Sequence, residues 1–453
     1  MAAGTATESV EQGDKVTLRV IVDKGRNQVV YAEAGKDFVD VLFSFLTLPL
    51  GTIAKLVAKE SNIEAVRFGS ISSIYESVSD LDQQHLWSYN CKEMLLKPRN
   101  SMEDHYKNLK LNIDDTPLHL FTCEDRSCRS CVSIFSNQKC HCGKLLKTDG
   151  HLAYKDGFVK DSATFIIQDD LNVMPNDLGT SLCLLQKRGI NNIADIEKKT
   201  ILVGKKEVAD LIKLSLLSKT PLSDFVLKKK PILCTLNQNF EPKIKIENGL
   251  PSSDSDEVEQ MVVKVIRRTS NRKILFVTAD EVFADFLFSF LTFPLGIVLQ
   301  MLEGFSSISC MDSLYRSIKE LSPERCLTSQ ELKDNLAEPK IFPIFELRSM
   351  IFPIETCAIG YSYNNQQLDF IDPKSPVSGG YTRGPLAIMV TDDMVVTPMS
   401  SIDGISYLER MKVPLNDVEE KVVSIGLKEG LSILKASLTS TSVLTNSLNQ
   451  YIG

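Results

Sequence analysis

LFSFLTLPLG occupies residues 42–51 and LFSFLTFPLG residues 287–296, nine identities in ten at an offset of 245. Chance does not produce such a match, and self-similarity of this kind decides architecture before any secondary structure is read. The register runs upstream without a gap, laying VTLRVIVDKGRNQVVYAEAGKDFVD (16–40) on MVVKVIRRTSNRKILFVTADEVFAD (261–285). Downstream, SSIYESVSDL (72–81) answers DSLYRSIKEL (312–321), and GFVKDSATFIIQDDLNVMP (157–175) answers GYTRGPLAIMVTDDMVVTP (380–398). KKEVADLIKLSLLSKTPLSDFVL (205–227) finally answers LKEGLSILKASLTSTSVLTNSLN (427–449). The chain reads as a tandem duplication, with copy one over 14–230, a Ser-, Pro- and acid-rich linker over 231–258, and copy two over 259–453.

Within each copy the patterns change period. VTLRVIV and QVVYAEA alternate apolar and polar side chains on either side of a turn, which predicts a β-hairpin. From Lys36 a continuous apolar run of helical length follows, and Pro49 disfavours helical geometry at Leu48. Thr47 and Thr292 stand where they would N-cap a second helix, running through Lys59 in copy one. TFIIQ-DD-LNV and AIMVT-DD-MVV give a second hairpin in each copy, followed in copy one by helical segments near 178–189, 191–199 and 205–218. Each copy is expected to be α+β, with two halves each made of a hairpin and packed helices. The LFSFLT block is expected in the core, the alternative being an apolar face that pairs the two copies or takes a partner helix.

Composition bounds the rest. In 453 residues, 43% hydrophobic content with 24% charged describes an ordinary globular chain of two to four domains, neither disordered nor membrane-embedded. Net charge is −7, so the basic excess that generic nucleic-acid or anionic-lipid binding requires is missing. The most apolar stretch, Val41–Ala54, contains Pro49 and Gly51 and falls short of the ~20 residues that cross a bilayer. The first residues show neither a secretory nor a transit pattern. With eleven cysteines, a reducing cytoplasmic and/or nuclear setting is expected.

The hairpin, the AEAGKDFVDVLFSFLTLPLG block, the cysteine cluster and the TDD-x-VV-x-P block together resemble a plant protein family known only as domain of unknown function 674. The resemblance covers nearly the whole chain. It implies a plant source and a two-copy architecture, and it brings no reaction, substrate or site residue.

Chemistry concentrates in FTCEDRSCRSCVSIFSNQKCHCGKLLK, where five of the eleven cysteines lie between Cys123 and Cys142. A C-x2-C pair (Cys128, Cys131) and a C-x-C pair (Cys140, Cys142) would give zinc four soft ligands if the intervening chain reverses direction. Gly143 can take the positive φ that such a turn needs. Arg126, Arg129, Lys139, Lys144 and Lys147 would help hold thiolates deprotonated. Copy two keeps Cys357 at the position of Cys123 but has no cluster, so Cys123 is read as a residue of the shared fold. The expected ligands are Cys128, Cys131, Cys140 and Cys142, with Cys123 and His141 in reserve, around a structural zinc. Ordinary reduced thiols and redox use are the alternatives.

The carboxylate pairs Asp169/Asp170 and Asp392/Asp393 read as hairpin-turn residues. All five histidines fall in copy one, and G-x-S-x-G, H-E-x-x-H and G-x-G-x-x-G are absent. The leading expectation is a non-enzymatic interaction or scaffold module for a protein partner. The alternative is an enzyme or small-ligand binder with a site between the copies built on those Asp pairs.

Overall fold

The structure, a computed structural model, describes residues 15–229 and 260–453 apart from positions 107, 115, 117–118, 126–127, 129–130, 150–155, 358–361, 364–365 and 368. The expected linker 231–258 lies outside the described residues, as do Arg126 and Arg129.

In the first half, β1 (Val16–Asp23) and β2 (Gln28–Gly35) form the expected hairpin, and helices Lys36–Thr47, Leu50–Val57 and Ile71–Asp80 follow, the first two separated at Leu48–Pro49. Three short strands, β3 (Phe121–Cys123), β4 (Cys131–Ser133) and β5 (Leu146–Asp149), precede the second hairpin, β6 (Thr164–Gln168) and β7 (Val173–Pro175). Helix Leu178–Lys187, β8 (Ile196–Val203) and helices Lys205–Leu217 and Pro221–Val226 complete this half. The second half repeats the order with β9 (Met261–Arg268), β10 (Ile274–Ala279) and helices Glu281–Ser289, Leu295–Met301 and Ser309–Glu320. It continues through β11 (Ser362–Tyr363), β12 (Gln366–Gln367) and β13 (Asp369–Phe370) to β14 (Ile388–Thr391), β15 (Val396–Pro398), helix Ser401–Arg410, β16 (Val418–Ile425) and helices Leu427–Thr439 and Val443–Leu448.

Two expectations need correction. Of residues 191–199 only Ile193–Asp195 is helical, a single 3-10 turn; Ile196–Val203 is the strand β8, fully paired with β1 from Val16↔Val203 to Asp23↔Ile196. IEKKTILV has the alternation of an edge strand, and the ladder with β1 outweighs the helix-forming Lys and Glu in it. Thr47 is not an N-cap either. Pro49 is the N-cap of the next helix, which ends at Val57, while the Thr47 hydroxyl donates to the Ser44 carbonyl and accepts from Asn100.

The two hairpins of a half do not make separate units. β6 pairs with β2, and β8 with β1, so each half holds one antiparallel five-stranded sheet, β7-β6-β2-β1-β8 and β15-β14-β10-β9-β16. The helices carrying LFSFLT pack on one face of each sheet. On the outer face Val30, Tyr31 and Ile166 meet Leu184 and Leu185 of helix Leu178–Lys187, and Phe276 and Met389 meet Leu408 of helix Ser401–Arg410.

A single apolar core runs through both halves, from Val16 and Leu18 to Leu448 and Ile452. The halves meet by reciprocal contacts of the kind a two-fold axis imposes. Leu50 N donates to Phe293 O at 2.9 Å and Leu295 N to Leu48 O at 2.9 Å. Trp87 N donates to Tyr381 O, and Thr328 N to Phe158 O. Val396 N bonds the Ser77 hydroxyl, and Val173 N that of Ser317. The LFSFLT blocks are thus buried core, and the Leu48-Pro49-Leu50 and Phe293-Pro294-Leu295 that follow them are where the halves touch.

Candidate metal centre

Residues 121–149 build a small sheet of their own. β3 pairs antiparallel with β4 and with β5, and β13, from the second half of the chain, adds parallel to β4 through Asp369↔Cys131 and Phe370↔Val132. Ile371 N continues that pairing by donating to Val132 O at 2.9 Å. Two tight turns hang from this sheet. In one, Cys128 N bonds Asp125 O; in the other, Cys140 N bonds Lys144 O and Gly143 N bonds Cys140 O, with Gly143 at φ +86° as its place in the turn requires.

These turns bring the sulfurs of Cys123, Cys128, Cys140 and Cys142 within 4.8 Å of one another. Cys123 and Cys142 lie 3.5 Å apart, and Cys128 and Cys140 3.6 Å. Tetrahedral zinc at a Zn–S distance of about 2.3 Å sets sulfurs about 3.8 Å apart, so the four donors suit such an ion with little movement. Cys123 and Cys140 are buried, Cys128 is half-buried and Cys142 exposed, so the group sits at the rim of the small sheet. Burial pushes the Cys123 thiol up to about 12, and the neighbouring thiols of Cys142 and Cys140 add to this. A cation among these sulfurs would reverse that trend, because thiolates are the ligating form. Lys144, 2.8 Å from Asp125, ties the two turns together.

Three of the four expected ligands, Cys128, Cys140 and Cys142, are brought together. Cys131 is not in the four-sulfur group, and the reserve Cys123 is. A C-x2-C reading pairs Cys128 with Cys131, but the Cys128 N–H bonds back to Asp125 O, and Cys131 belongs to β4. Cys131 packs with Cys123, Cys140 and Leu146 in the apolar cluster behind the group. His141, the other reserve, is exposed and outside the group. The sulfurs brought together are spaced C-x4-C across the first turn and C-x-C across the second. Cys123 and Cys357 hold corresponding positions, and among the described residues only Cys123 has three further sulfurs gathered beside it.

The paired acids are placed differently from surface turn residues. Asp169 accepts from Ser223 N at 2.7 Å and from the Ser223 hydroxyl at 2.6 Å, and Asp392 does the same for Thr445 at 2.8 and 3.0 Å. Both carboxylates are buried, and burial raises their pKa above the ordinary aspartate value. Asp170 accepts from the Ser313 hydroxyl and Asp393 from that of Thr391. Each first Asp anchors a C-terminal helix of its half to the second hairpin. A cavity of about 390 Å³ does open between the halves, but it is lined by His105, Asp156, Gly157, Ser329, Glu331 and Asn335, among others, and by neither Asp pair.

A family model described as "Protein of unknown function (DUF674)" matches residues 12–428. The chain belongs to this family. The DUF674 match spans both five-stranded sheets and the cysteine group. No curated protein and no solved structure matches the chain. Among the described residues of this DUF674 protein, no helix is long and apolar enough to cross a membrane.

Proposed function

We propose that this protein is a non-enzymatic interaction module of two like halves, copies of one unit, in which a structural zinc ion braces the cysteine loop of the first half. The four-sulfur group of Cys123, Cys128, Cys140 and Cys142 carries the proposal. Four thiolates fill a tetrahedral shell and leave no open position for substrate, so such an ion holds chain segments together and does not activate water. Its free thiols require the reducing conditions of cytoplasm or nucleus. The interaction role is supported by the fate of the paired acids: the carboxylates that a site between the halves would draw on are used to hold Ser223 and Thr445.

The test is zinc content of the purified full chain, measured by elemental mass spectrometry. About one equivalent is expected, falling to near zero in Cys123→Ser and in Cys128→Ser and unchanged in Cys131→Ser. Full zinc content in both of the first two variants would remove the site.

A further inference from the structure

Each sheet leaves one long edge open. β8 and β16 end their sheets, and among the described residues no strand pairs with the outer side of either. The opposite edges face inward: Val173 of β7 and Val396 of β15 each bond a serine hydroxyl of the other half. β8 and β16 lie four strands away, at roughly 19 Å. A bare edge presents a row of backbone donors and acceptors that a further strand can satisfy, and charged side chains commonly guard it.

The charges on these two edges are complementary to each other. β8 begins Ile196, Glu197, Lys198, Lys199, Thr200, and β16 begins Val418, Glu419, Glu420, Lys421, Val422. Laid antiparallel with Lys198 opposite Glu420, they set Glu197 against Lys421, Lys199 against Glu419, Ile196 against Val422 and Thr200 against Val418. Directly opposite residues must share a sheet face. They do: Lys198, Thr200 and Leu202 are exposed on β8, as are Glu420, Val422 and Ser424 on β16, while Val203, Val423 and Ile425 turn inward and are buried. Other registers lose this match. A longer overlap sets Leu202 against Glu420 and Ile201 against Lys421. Two β8 edges centred on Lys198 oppose lysine to lysine, and two β16 edges centred on Glu420 oppose glutamate to glutamate.

We propose that the chain associates head to tail with further copies of itself, the β8 edge of one molecule pairing antiparallel with the β16 edge of the next. Glu420 already lies 3.7 Å from Lys264 of β9, and Glu419 2.7 Å from Arg267, so an incoming Lys198 and Lys199 extend two existing ion pairs into rows across three strands. Exposed pairs of this kind contribute little each and mainly select partner and register, which makes the association sensitive to salt. Because the two edges differ, the contact is heterologous and generates rings or filaments. This names one partner for the interaction module proposed above and does not depend on the metal: zinc loss with association intact, or the reverse, separates the two readings.

Sedimentation of the full chain tests it. The mean mass is expected to rise at least twofold between about 1 and about 100 µM in low salt, and the rise is expected to vanish near about 0.5 M salt. Lys198→Glu and Glu420→Lys, both on exposed positions and checked for native circular dichroism, are each expected to stay monomeric. An equal mixture of the two variants is expected to associate again, since each changed edge meets its complement. A wild-type chain that is monomeric throughout, single variants that associate like wild type, or a mixture that stays monomeric would each overturn the proposal.

Discussion

The ammonium of Lys36 lies 3.3 Å from the buried carboxylate of Asp40, and at the corresponding place in the second half stands Glu281, one helical turn before the buried Asp285. Both aspartates do the same job. Asp40 accepts from Phe158 N and Val159 N, Asp285 from Tyr381 N and Thr382 N, so each fastens the chain entering the second hairpin to the apolar helix. Gly157 and Gly380 allow this approach, since a Cβ at either would collide with the carboxylate, and Gly157 further needs φ +63°. Burial raises Asp40 to about 6, opposed by the Phe158 N–H and by Lys36. Burial raises Asp285 to about 7, and Glu281 adds to the rise.

Stability should therefore fall as pH increases across the weakly acid range. Both groups hold a proton in the folded state to higher pH than in the unfolded chain, where the value is 3.8. Their contribution is full below about pH 4, declines as pH rises toward 6 and 7, and is gone above. Asp285→Asn keeps an acceptor for Tyr381 and Thr382 without a charge. Its melting temperature is expected to drop less than that of wild type between pH 5 and pH 8, at about 1.4 kcal/mol per pH unit removed from the slope. Parallel pH profiles for the two proteins would refute the assignment.

Gly296 sits where the halves touch. A Cβ there would stand 2.7 Å from Cγ of Pro339 and 3.0 Å from the carbonyl of Leu46, which belongs to the other half. Gly296→Ala is expected to destabilise by about 1–3 kcal/mol in chemical denaturation, the usual cost of overpacking. An unchanged midpoint would show that the contact yields.

Ser77 and Ser317 carry equivalent bonds to Val396 N at 2.9 Å and Val173 N at 2.8 Å, all of them buried. Removing either hydroxyl leaves a buried N–H without a partner. Ser77→Ala and Ser317→Ala should each cost about 1–3 kcal/mol, similar in size because the surroundings repeat. Thermal unfolding of the two variants side by side checks both magnitude and equality, and a loss in only one would break the equivalence.

Chelation of the proposed ion is expected to be felt in the second half. Ile371 packs against the cysteine cluster and donates to Val132 O, so loosening the loop frees that amide. Hydrogen exchange at Ile371 is expected to quicken at least tenfold after metal removal, whereas amides of the ladder between β9 and β16 should keep their rates. No change at Ile371 would show that the strand is held without the ion.

Much of this was legible in the chain because it is local. The hairpins show in the alternation of VTLRVIV and MVVKVIRR, and the break at Leu48–Pro49 shows in the proline. The cysteine window was legible by density. What escaped depends on partners far away in sequence. IEKKTILV carries a weak alternation beside helix-forming Lys and Glu, and the edge of β1, some 180 residues earlier, decides it as a strand. Asp169 reads as a turn acid and is one, but its burial and its bonds to Ser223, 54 residues on, do not show in the local pattern. Cys123 joins the four-sulfur group and Cys131 does not, which the spacing alone does not show, and strands of three residues carry no period to read.

The parallel pairing of β13 with β4 has a consequence for synthesis. Cys131 leaves the ribosome well before Asp369, its partner. At roughly 5–20 residues per second the cysteine loop waits roughly 10–50 s for its fourth strand. During that interval its thiols are exposed to whatever the surroundings offer, so early capture of an ion would shield them from oxidation while the second half is still being made.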